Sequence, residues 1–285
     1  MDGGITYILN EGGGFFSTFF FICKAYLTAR HKRIPFYIEN KSWPYTFEKG
    51  WHDYMRSLDT PPNVYKVPTP LSKMRYVTHN TQSKDPEFRL IDYRAACHDL
   101  FKIRVDLRDR AYNIIQNMKG DYKAVFVRRG DKLNEEAPYI SVKDILDKIP
   151  HTSDTRFFVQ TDDYTVIEEF KQLHPSDKIV YTVPEYKRGQ YLMRQHKNMD
   201  NGRNPYIQTI VPLTEQPKHQ IKEETEEMLV GLTVCYMAPE CWTDCTSNVG
   251  RFLKLMSPDT VHFYPKDRMV TMDVVHCPSV DFPFE

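Results

Sequence analysis

The sequence has no net charge and lacks any long hydrophobic run. Its 285 residues include 38 basic and 38 acidic side chains. A neutral chain lacks the electrostatic footprint of a general nucleic-acid-binding protein, so we expect no nucleic acid partner. The most apolar segment, residues 15–27, is interrupted by polar side chains and is too short to span a bilayer. Since no secretory signal is visible either, we expect a soluble, cytoplasmic protein with no intrinsic membrane anchor.

Cysteine is too sparse for a disulfide-stapled domain. Six cysteines are scattered along the chain, a density far below that of small secreted scaffolds. Cys241 and Cys245 lie close together, but the Cys-x-x-Cys spacing of many structural zinc sites does not occur. The sequence therefore favours buried free thiols in a reducing compartment over a metal centre.

Two familiar phosphate-binding motifs are also missing. Gly12, Gly13 and Gly14 stand between a predicted strand and a predicted helix, but they do not form the Gly-x-Gly-x-x-Gly pattern of dinucleotide-binding proteins. No Gly-Lys-Ser/Thr follows them, which disfavours a phosphotransferase. The three glycines still permit close backbone approach to a ligand and expose amides at a helix N-terminus. The alternative is a tight turn that binds nothing.

What the sequence does contain is an alternation of strand-like and helix-like segments. The first half has predicted strands at 5–10, 34–39, 63–67 and 75–78 and predicted helices at 15–30, 86–101 and 105–118. The second half has predicted strands at 124–127, 156–160 and 178–183 and predicted helices at 142–148, 164–174, 221–237 and 249–256. This alternation predicts an α/β protein with parallel, doubly wound sheets.

The alternation is interrupted once, at Lys119-Gly120-Asp121. A chain of this length suits two domains. We therefore predict domains at residues 1–119 and 120–285, and the end of the chain is a candidate to pack back on the first domain.

The stretch from residue 124 to 136 carries the strongest functional pattern. Four apolar residues that suit a buried strand are followed at once by Arg128 and Arg129. A guanidinium group offers a planar fork of donors that matches phosphate oxygens, and open α/β sheets bind ligands beyond the carboxyl ends of their strands. Further charged side chains follow: Asp131, Lys132, Glu135 and Glu136. The pattern indicates a phosphate site, and the alternative is a solvated charged turn.

A second candidate phosphate contact precedes the last predicted helix. Thr246, Ser247 and Asn248 stand at its N-terminus, where side chains of these types cap a helix. The same position suits a phosphate or a nucleotide, and the two roles are compatible.

Four stretches, in this order, resemble the α-1,6-fucosyltransferases and, more distantly, the α-1,2- and protein-O-fucosyltransferases. The first is GGGF at 12–15 together with IENKSW at 38–43, which is similar to the family's glycine loop and following strand. The others are VRRGDK at 127–132, TDD at 161–163 and DCTSNVGR at 244–251. Together they span most of the chain.

The resemblance implies a GT-B-like fold, in which two Rossmann-like domains face a cleft that holds the donor without a metal or other cofactor. The sequence agrees on the metal, because it contains no Asp-x-Asp triplet. The first domain would be the acceptor side and the second would bind the nucleotide sugar. The donor-binding residues that the resemblance implies are Gly12, Gly13, Gly14, Arg128, Arg129, Asp131, Lys132, Asp162, Asp163, Thr246, Ser247 and Asn248.

The resemblance also implies a mechanism, an inverting transfer of the sugar to a glycan acceptor. Arg128 and Arg129 would lie on the donor pyrophosphate, where fixed guanidinium groups stabilise the charge of the leaving group. The family's base stands seven residues beyond its second arginine, which places it at Glu136 here. A carboxylate within reach of the acceptor hydroxyl can take its proton. Glu135 is the main rival for this role and Asp131 a weaker one.

The sequence departs from the family at two places that bear on the donor. Phe126 stands where the family has a histidine, and Thr246 and Asn248 replace a serine and a glutamine. GDP-fucose is the leading expectation for the donor. The same mechanism with another donor, such as a UDP-pentose, remains open, and so does a non-catalytic module that binds a nucleotide sugar or a glycan.

Overall fold

The computed structural model describes residues 4–9, 14–57, 74–77, 88–118, 120–129, 140–188, 216–244 and 247–264. The chain divides into two compact units. Of the described residues, the first unit holds those up to Arg104 together with Pro217–Lys222. The second holds those from Val105 to Gln216 and those from Glu223 onwards.

The first unit contains a parallel sheet whose central strand is the first in the chain. Strand β1 (Gly4–Leu9) pairs with β2 (Phe36–Asn40) on one side and with β3 (Met74–Val77) on the other. Helix α1 (Phe15–Lys32) connects β1 to β2, and α2 (Leu90–Leu100) follows β3. The residue that follows α1, Arg33, adopts a left-handed conformation with a φ of 56° and closes the last turn as a helix C-cap.

An aromatic segment, residues 42–54, forms part of the core of the first unit. Trp43 and Trp51 are each only 2% exposed, and both rings contact Phe15 at the start of α1. The carboxylate of Asp53 accepts hydrogen bonds from three successive backbone N–H groups, those of residues 47, 48 and 49. The segment is therefore held in place by its buried aromatic rings and by the three hydrogen bonds to the Asp53 carboxylate.

The second unit contains a five-stranded parallel sheet. Its strands are β4 (Lys123–Val127), β5 (Phe157–Thr161), β6 (Ile179–Tyr181), β7 (Glu240–Thr243) and β8 (Val261–Phe263), in the order β6-β5-β4-β7-β8. Its helices are α3 (Val105–Asn117), α4 (Val142–Leu146), α5 (Thr165–Leu173), α6 (Lys218–Tyr236) and α7 (Asn248–Met256). The first residues of α6, 218–222, are grouped with the first unit. Val125, Phe157 and Phe170 are fully buried in its core.

The order of these strands reverses at β4. From β4 the chain runs outward through β5 to β6, and it then returns to place β7 on the other side of β4. In doubly wound sheets, ligands bind at such a reversal, outside the carboxyl ends of the two strands concerned. The carboxyl ends of β4 and β7 are therefore where the fold predicts a ligand-binding site.

The predicted α/β class with parallel sheets in both halves of the chain is confirmed. Most predicted elements lie within a few residues of the observed ones, whereas β7 was not predicted and the strand predicted at 63–67 lies outside the described residues. The observed division falls at Arg104–Val105, earlier than the predicted boundary after residue 119. Helix α3 belongs to the second unit, where Arg110 forms ion pairs with Glu226 and Glu227 of α6. The predicted placement of the chain's end also lies outside the described residues.

In the part of the chain that the structure describes, no helix combines the length and the apolar character needed to cross a membrane.

Candidate functional site

The carboxyl edge of the second sheet brings three of the sequence motifs into one region. Strand β4 lies between β5 and β7, and neighbouring strands are about 5 Å apart. Val127 pairs with Thr161, and Val125 pairs with Trp242. The segments that begin at Arg128, Asp162 and Asp244 therefore leave adjacent strands at the same edge.

Arg128 is the partly exposed arginine of the pair. Its side chain is 27% exposed, and its Nε lies 3.5 Å from Oδ2 of Asp162. The other oxygen of that carboxylate, Oδ1, accepts a hydrogen bond of 2.7 Å from the backbone N–H of Arg129. Asp162 thus holds the peptide that follows Arg128 and lies beside its guanidinium group.

Arg129 is buried, although it is the next residue. Only 3% of its side chain is exposed, and its guanidinium forms a two-pronged ion pair with Glu169 of α5. The Nη2 group also donates to the carbonyl of Ile140 at 3.3 Å. Glu169 Oε2 accepts a further hydrogen bond of 3.3 Å from the backbone N–H of Val142, the first residue of α4.

Asp163 has a structural role in the described site. It is 1% exposed, and its Oδ1 accepts a hydrogen bond of 2.9 Å from the backbone N–H of Thr165 at the start of α5. A carboxylate in this position satisfies one of the N–H groups that a helix N-terminus leaves unpaired. Its assignment to the nucleotide side stays a prediction.

The turn between β7 and α7 is built around Asp244 and Ser247. The carboxylate of Asp244, 8% exposed, accepts from the backbone N–H of Ser247 at 2.8 Å and from its hydroxyl at 3.1 Å. The Ser247 hydroxyl oxygen in turn accepts from the backbone N–H of Gly250 at 3.0 Å and caps α7. The predicted capping role of Ser247 is therefore confirmed. Asn248 is the first residue of α7 and accepts a hydrogen bond of 3.2 Å from Arg251.

Tyr264, the residue after β8, connects the carboxyl ends of β7 and β4 by two hydrogen bonds. Its backbone N–H donates to the carbonyl of Thr243 at 2.9 Å, and its hydroxyl donates to the carbonyl of Phe126 in β4. Burial raises the pKa of Tyr264 well above its ordinary value, so the hydroxyl remains a donor at physiological pH. Phe126 itself is buried. It occupies the position at which the fucosyltransferases that the sequence resembles have a histidine.

The structure describes only part of the predicted site. Arg128, Arg129, Asp162, Asp163, Ser247 and Asn248 lie at the edge of the second sheet. Gly14 lies in the first unit and directly precedes α1. The first backbone N–H of this helix, that of Phe15, donates a hydrogen bond of 3.1 Å to the hydroxyl oxygen of Tyr45. The remaining predicted residues lie outside the described ranges: Gly12, Gly13, Asp131, Lys132, Glu135, Glu136 and Thr246.

Three residues at this edge were not predicted as part of the site: Glu169, Asp244 and Tyr264. The sequence around Glu169 contains a signal that could have identified it. Glu169 lies three residues after Val166 and one before Phe170, which are both buried residues of α5. A carboxylate that borders the apolar face of a helix is placed to pair with a buried cation. The sequence did not indicate which cation that partner would be.

The arrangement suits an anion. The N-terminus of α7 carries partial positive charge, and Arg128 adds a guanidinium group from the neighbouring strand. Within the described ranges, no three His, Cys, Asp or Glu side chains cluster as a metal site requires. Cys245, which lies close to Cys241 in the sequence, is outside those ranges.

Solved structures share this fold. The α-1,6-fucosyltransferase NodZ co-crystallized with GDP matches with a TM-score of 0.56 at 11% identity, over 89% of this chain and 92% of that chain. NodZ soaked with GDP-fucose gives a TM-score of 0.54 at 11% identity, over 89% and 92%. NodZ from Bradyrhizobium gives a TM-score of 0.55 at 11% identity, over 89% and 93%. No protein-family model and no curated protein sequence matches the chain. The chain therefore has the fold of the fucosyltransferase NodZ at very low sequence identity.

Proposed function

We propose that this protein is a glycosyltransferase that moves a sugar from a nucleotide-sugar donor to a hydroxyl group of a glycan. The observation that carries the proposal is that Arg128 and the capped N-terminus of α7 follow the carboxyl ends of the adjacent strands β4 and β7, where the strand order of the second sheet reverses. Support comes from the shared fold, since NodZ is an α-1,6-fucosyltransferase whose crystals were grown with GDP or soaked with GDP-fucose.

The proposed donor is GDP-fucose, and the proposed reaction inverts the sugar without a metal ion. Arg128 would lie against the pyrophosphate and stabilise the negative charge that grows on the leaving group. Glu136 would take the proton of the acceptor hydroxyl, with Glu135 as the alternative base. In-line attack by that oxygen breaks the bond between the sugar and the β-phosphate and releases GDP, so the configuration at the sugar carbon inverts.

The test is a thermal-shift panel with GDP, UDP, ADP and CMP, each with and without EDTA. A ligand that binds only the native state raises the melting temperature by mass action. We expect GDP to stabilise the protein and EDTA to leave that shift unchanged. Stabilisation by UDP alone would replace GDP-fucose with a uridine donor. If none of the nucleotides stabilises the protein, the glycosyltransferase proposal is wrong.

Arg128→Ala sharpens this test. Because hydrogen bonds to charged groups contribute about 1.5–3 kcal/mol, the variant should bind GDP at least about tenfold more weakly and lose transfer. Arg110→Ala is the matched control, since it removes a partly exposed guanidinium group that pairs with α6 instead. Equal GDP affinity in the two variants would contradict the assignment of Arg128 to the pyrophosphate.

A further inference from the structure

The two consecutive arginines differ sharply in their surroundings. The side chain of Arg128 is 27% exposed and that of Arg129 only 3%. Successive residues of an extended chain point to opposite sides, which agrees with the partial exposure of the Arg128 side chain and the burial of the Arg129 side chain. Of the two guanidinium groups, that of Arg128 is therefore the more accessible to a ligand from solvent.

The guanidinium of Arg129 is engaged by the protein itself. Both of its terminal nitrogens contact the carboxylate of Glu169, Nη2 at 2.8 Å from Oε2. Nη2 also reaches the carbonyl of Ile140. A fork of this kind, with two parallel N–H···O bonds, fixes direction as well as distance.

Glu169 connects the end of β4 to two other elements. It projects from α5 and binds Arg129 after β4 and the backbone N–H of Val142 at the start of α4. Asp162, at the start of the same β5–α5 connection, binds the backbone N–H of Arg129. Arg129 is thus held at its backbone and at its side chain by two carboxylates, and the peptide that carries Arg128 is fixed between them.

We propose that Glu169 is a positioning residue, which acts through Arg129 to aim Arg128 at the diphosphate of the donor. The proposal rests on the proposed function and refines it, because the two arginines no longer share one task. Arg128 contacts the ligand, whereas Arg129 and Glu169 form the clamp that holds the end of β4. Glu169 itself touches no substrate.

A direct phosphate contact by Arg129 predicts the opposite behaviour. In that case Glu169 would compete with the ligand for the same guanidinium, and its neutralisation would free Arg129 and tighten GDP binding. If Glu169 is a positioning residue, neutralisation loosens the clamp and weakens GDP binding. The sign of the change in affinity therefore separates the two arrangements.

The experiment measures the dissociation constant of GDP for the whole protein and its Glu169→Gln variant, well below both melting temperatures. We expect an increase of about tenfold, or ~1.4 kcal/mol. Glu168→Gln is the control, because Glu168 is the preceding residue of α5 and pairs with Arg188 at the surface, where the arginine side chain is 55% exposed. This control should bind GDP as the unaltered protein does.

Glu169→Asp keeps the test decisive if Glu169→Gln does not fold. It retains the negative charge but draws it back by one methylene, so we expect a folded protein with an intermediate loss of GDP affinity. Unchanged or tighter binding in a folded Glu169 variant would overturn the positioning role and leave the proposed function intact. If the unaltered protein binds none of GDP, UDP, ADP and CMP, both the positioning role and the proposed function are overturned.

Discussion

At the scale of single residues, Gly250 sets how closely α7 can approach β7. A Cβ atom at this position would lie 1.9 Å from the carbonyl oxygen of Asp244 and 3.1 Å from the hydroxyl oxygen of Thr243. The first distance is far shorter than any contact a real Cβ atom makes, and the obstacle is backbone. An L side chain therefore forces the N-terminus of α7 away from the turn that carries Asp244 and Ser247.

Gly250→Ala should accordingly destabilise the second unit. Forcing an extra carbon atom into a packed site costs about 1–3 kcal/mol, and urea unfolding would measure this loss. Gly4→Ala is the matched control, because its Cβ would meet Pro35 at an ordinary 3.5 Å. Equal unfolding free energies in the two variants would show that the turn after β7 can shift to accommodate the methyl group. In that case Gly250 does not determine how closely α7 packs against β7.

The same scale shows what the sequence could predict about the site. The twin arginines after an apolar run were sufficient to predict the carboxyl edge of β4, because that inference needs only local pattern and sheet topology. The division of roles between Arg128 and Arg129 depends on Glu169, which lies 40 positions further along the chain. No local pattern reports which of two adjacent side chains meets such a distant partner.

At the scale of elements, β7 is held to β4 by a pair of charged side chains as well as by the backbone. Lys123 and Glu240 face each other in the register of the two strands and form an ion pair. The indole Nε1 of Trp242 also donates to Glu240 at 2.6 Å. Burial alone would raise the pKa of the Glu240 carboxyl, but these hydrogen bonds outweigh it and hold the pKa below its ordinary value of 4.5.

This lowered pKa predicts how stability depends on pH. A carboxyl whose pKa is lower in the folded protein contributes stability above its unfolded pKa and loses it as the pH falls through the folded value. Glu240→Gln should therefore be less stable than the unaltered protein at pH 7 in urea unfolding. The difference should begin to shrink once the pH falls below about 4.5, the ordinary value.

The control for this series is Asp147→Asn, which removes one partner of the exposed pair between Lys143 and Asp147. Exposed pairs contribute about 0–1 kcal/mol, so this variant should follow the unaltered protein closely at every pH. A stability difference for Glu240→Gln that stays constant or grows in acid would contradict the role given to the carboxylate.

Strand β7 also shows why some elements escape prediction. Its four residues, Glu-Cys-Trp-Thr, form neither the strict alternation nor the continuous apolar run that marks a strand. Its place in the sheet comes from the partners on either side, β4 and β8. The longer helices were predictable from their own spacing of apolar residues, whereas this strand is specified by tertiary context.

At the scale of the whole molecule, the break in the sequence pattern and the division of the structure do not coincide. Lys119-Gly120-Asp121 interrupts the alternation of elements, but α3 lies before it and belongs to the second unit. In that unit, Arg110 of α3 forms ion pairs with α6, a partner more than a hundred residues away. Composition locates a turn in the chain, and only the long-range contacts decide to which unit a neighbouring helix belongs.

The chain carries a natural probe for each unit in its three tryptophans. Trp43 and Trp51 lie in the first unit and Trp242 in the second. The double variant Trp43→Phe/Trp51→Phe retains only Trp242, so its fluorescence reports the unfolding of the second unit. The variant Trp242→Phe retains only Trp43 and Trp51, so its fluorescence reports the unfolding of the first unit. Of the described residues that we predict to bind the donor, Arg128, Ser247 and Asn248 lie in the second unit and only Gly14 lies in the first. We therefore expect saturating GDP to raise the midpoint of the Trp242 signal more than that of the other probe.

The comparison depends on how the two signals behave without ligand, since coincident transitions indicate a single cooperative unfolding step. If the two midpoints differ without GDP and only the Trp242 midpoint moves with it, the second unit unfolds on its own and holds the ligand. Arg128→Ala in the same backgrounds should remove most of that shift, because mass-action stabilisation falls with affinity. A larger shift in the signal of the first unit would contradict the placement of the nucleotide at the edge of the second sheet.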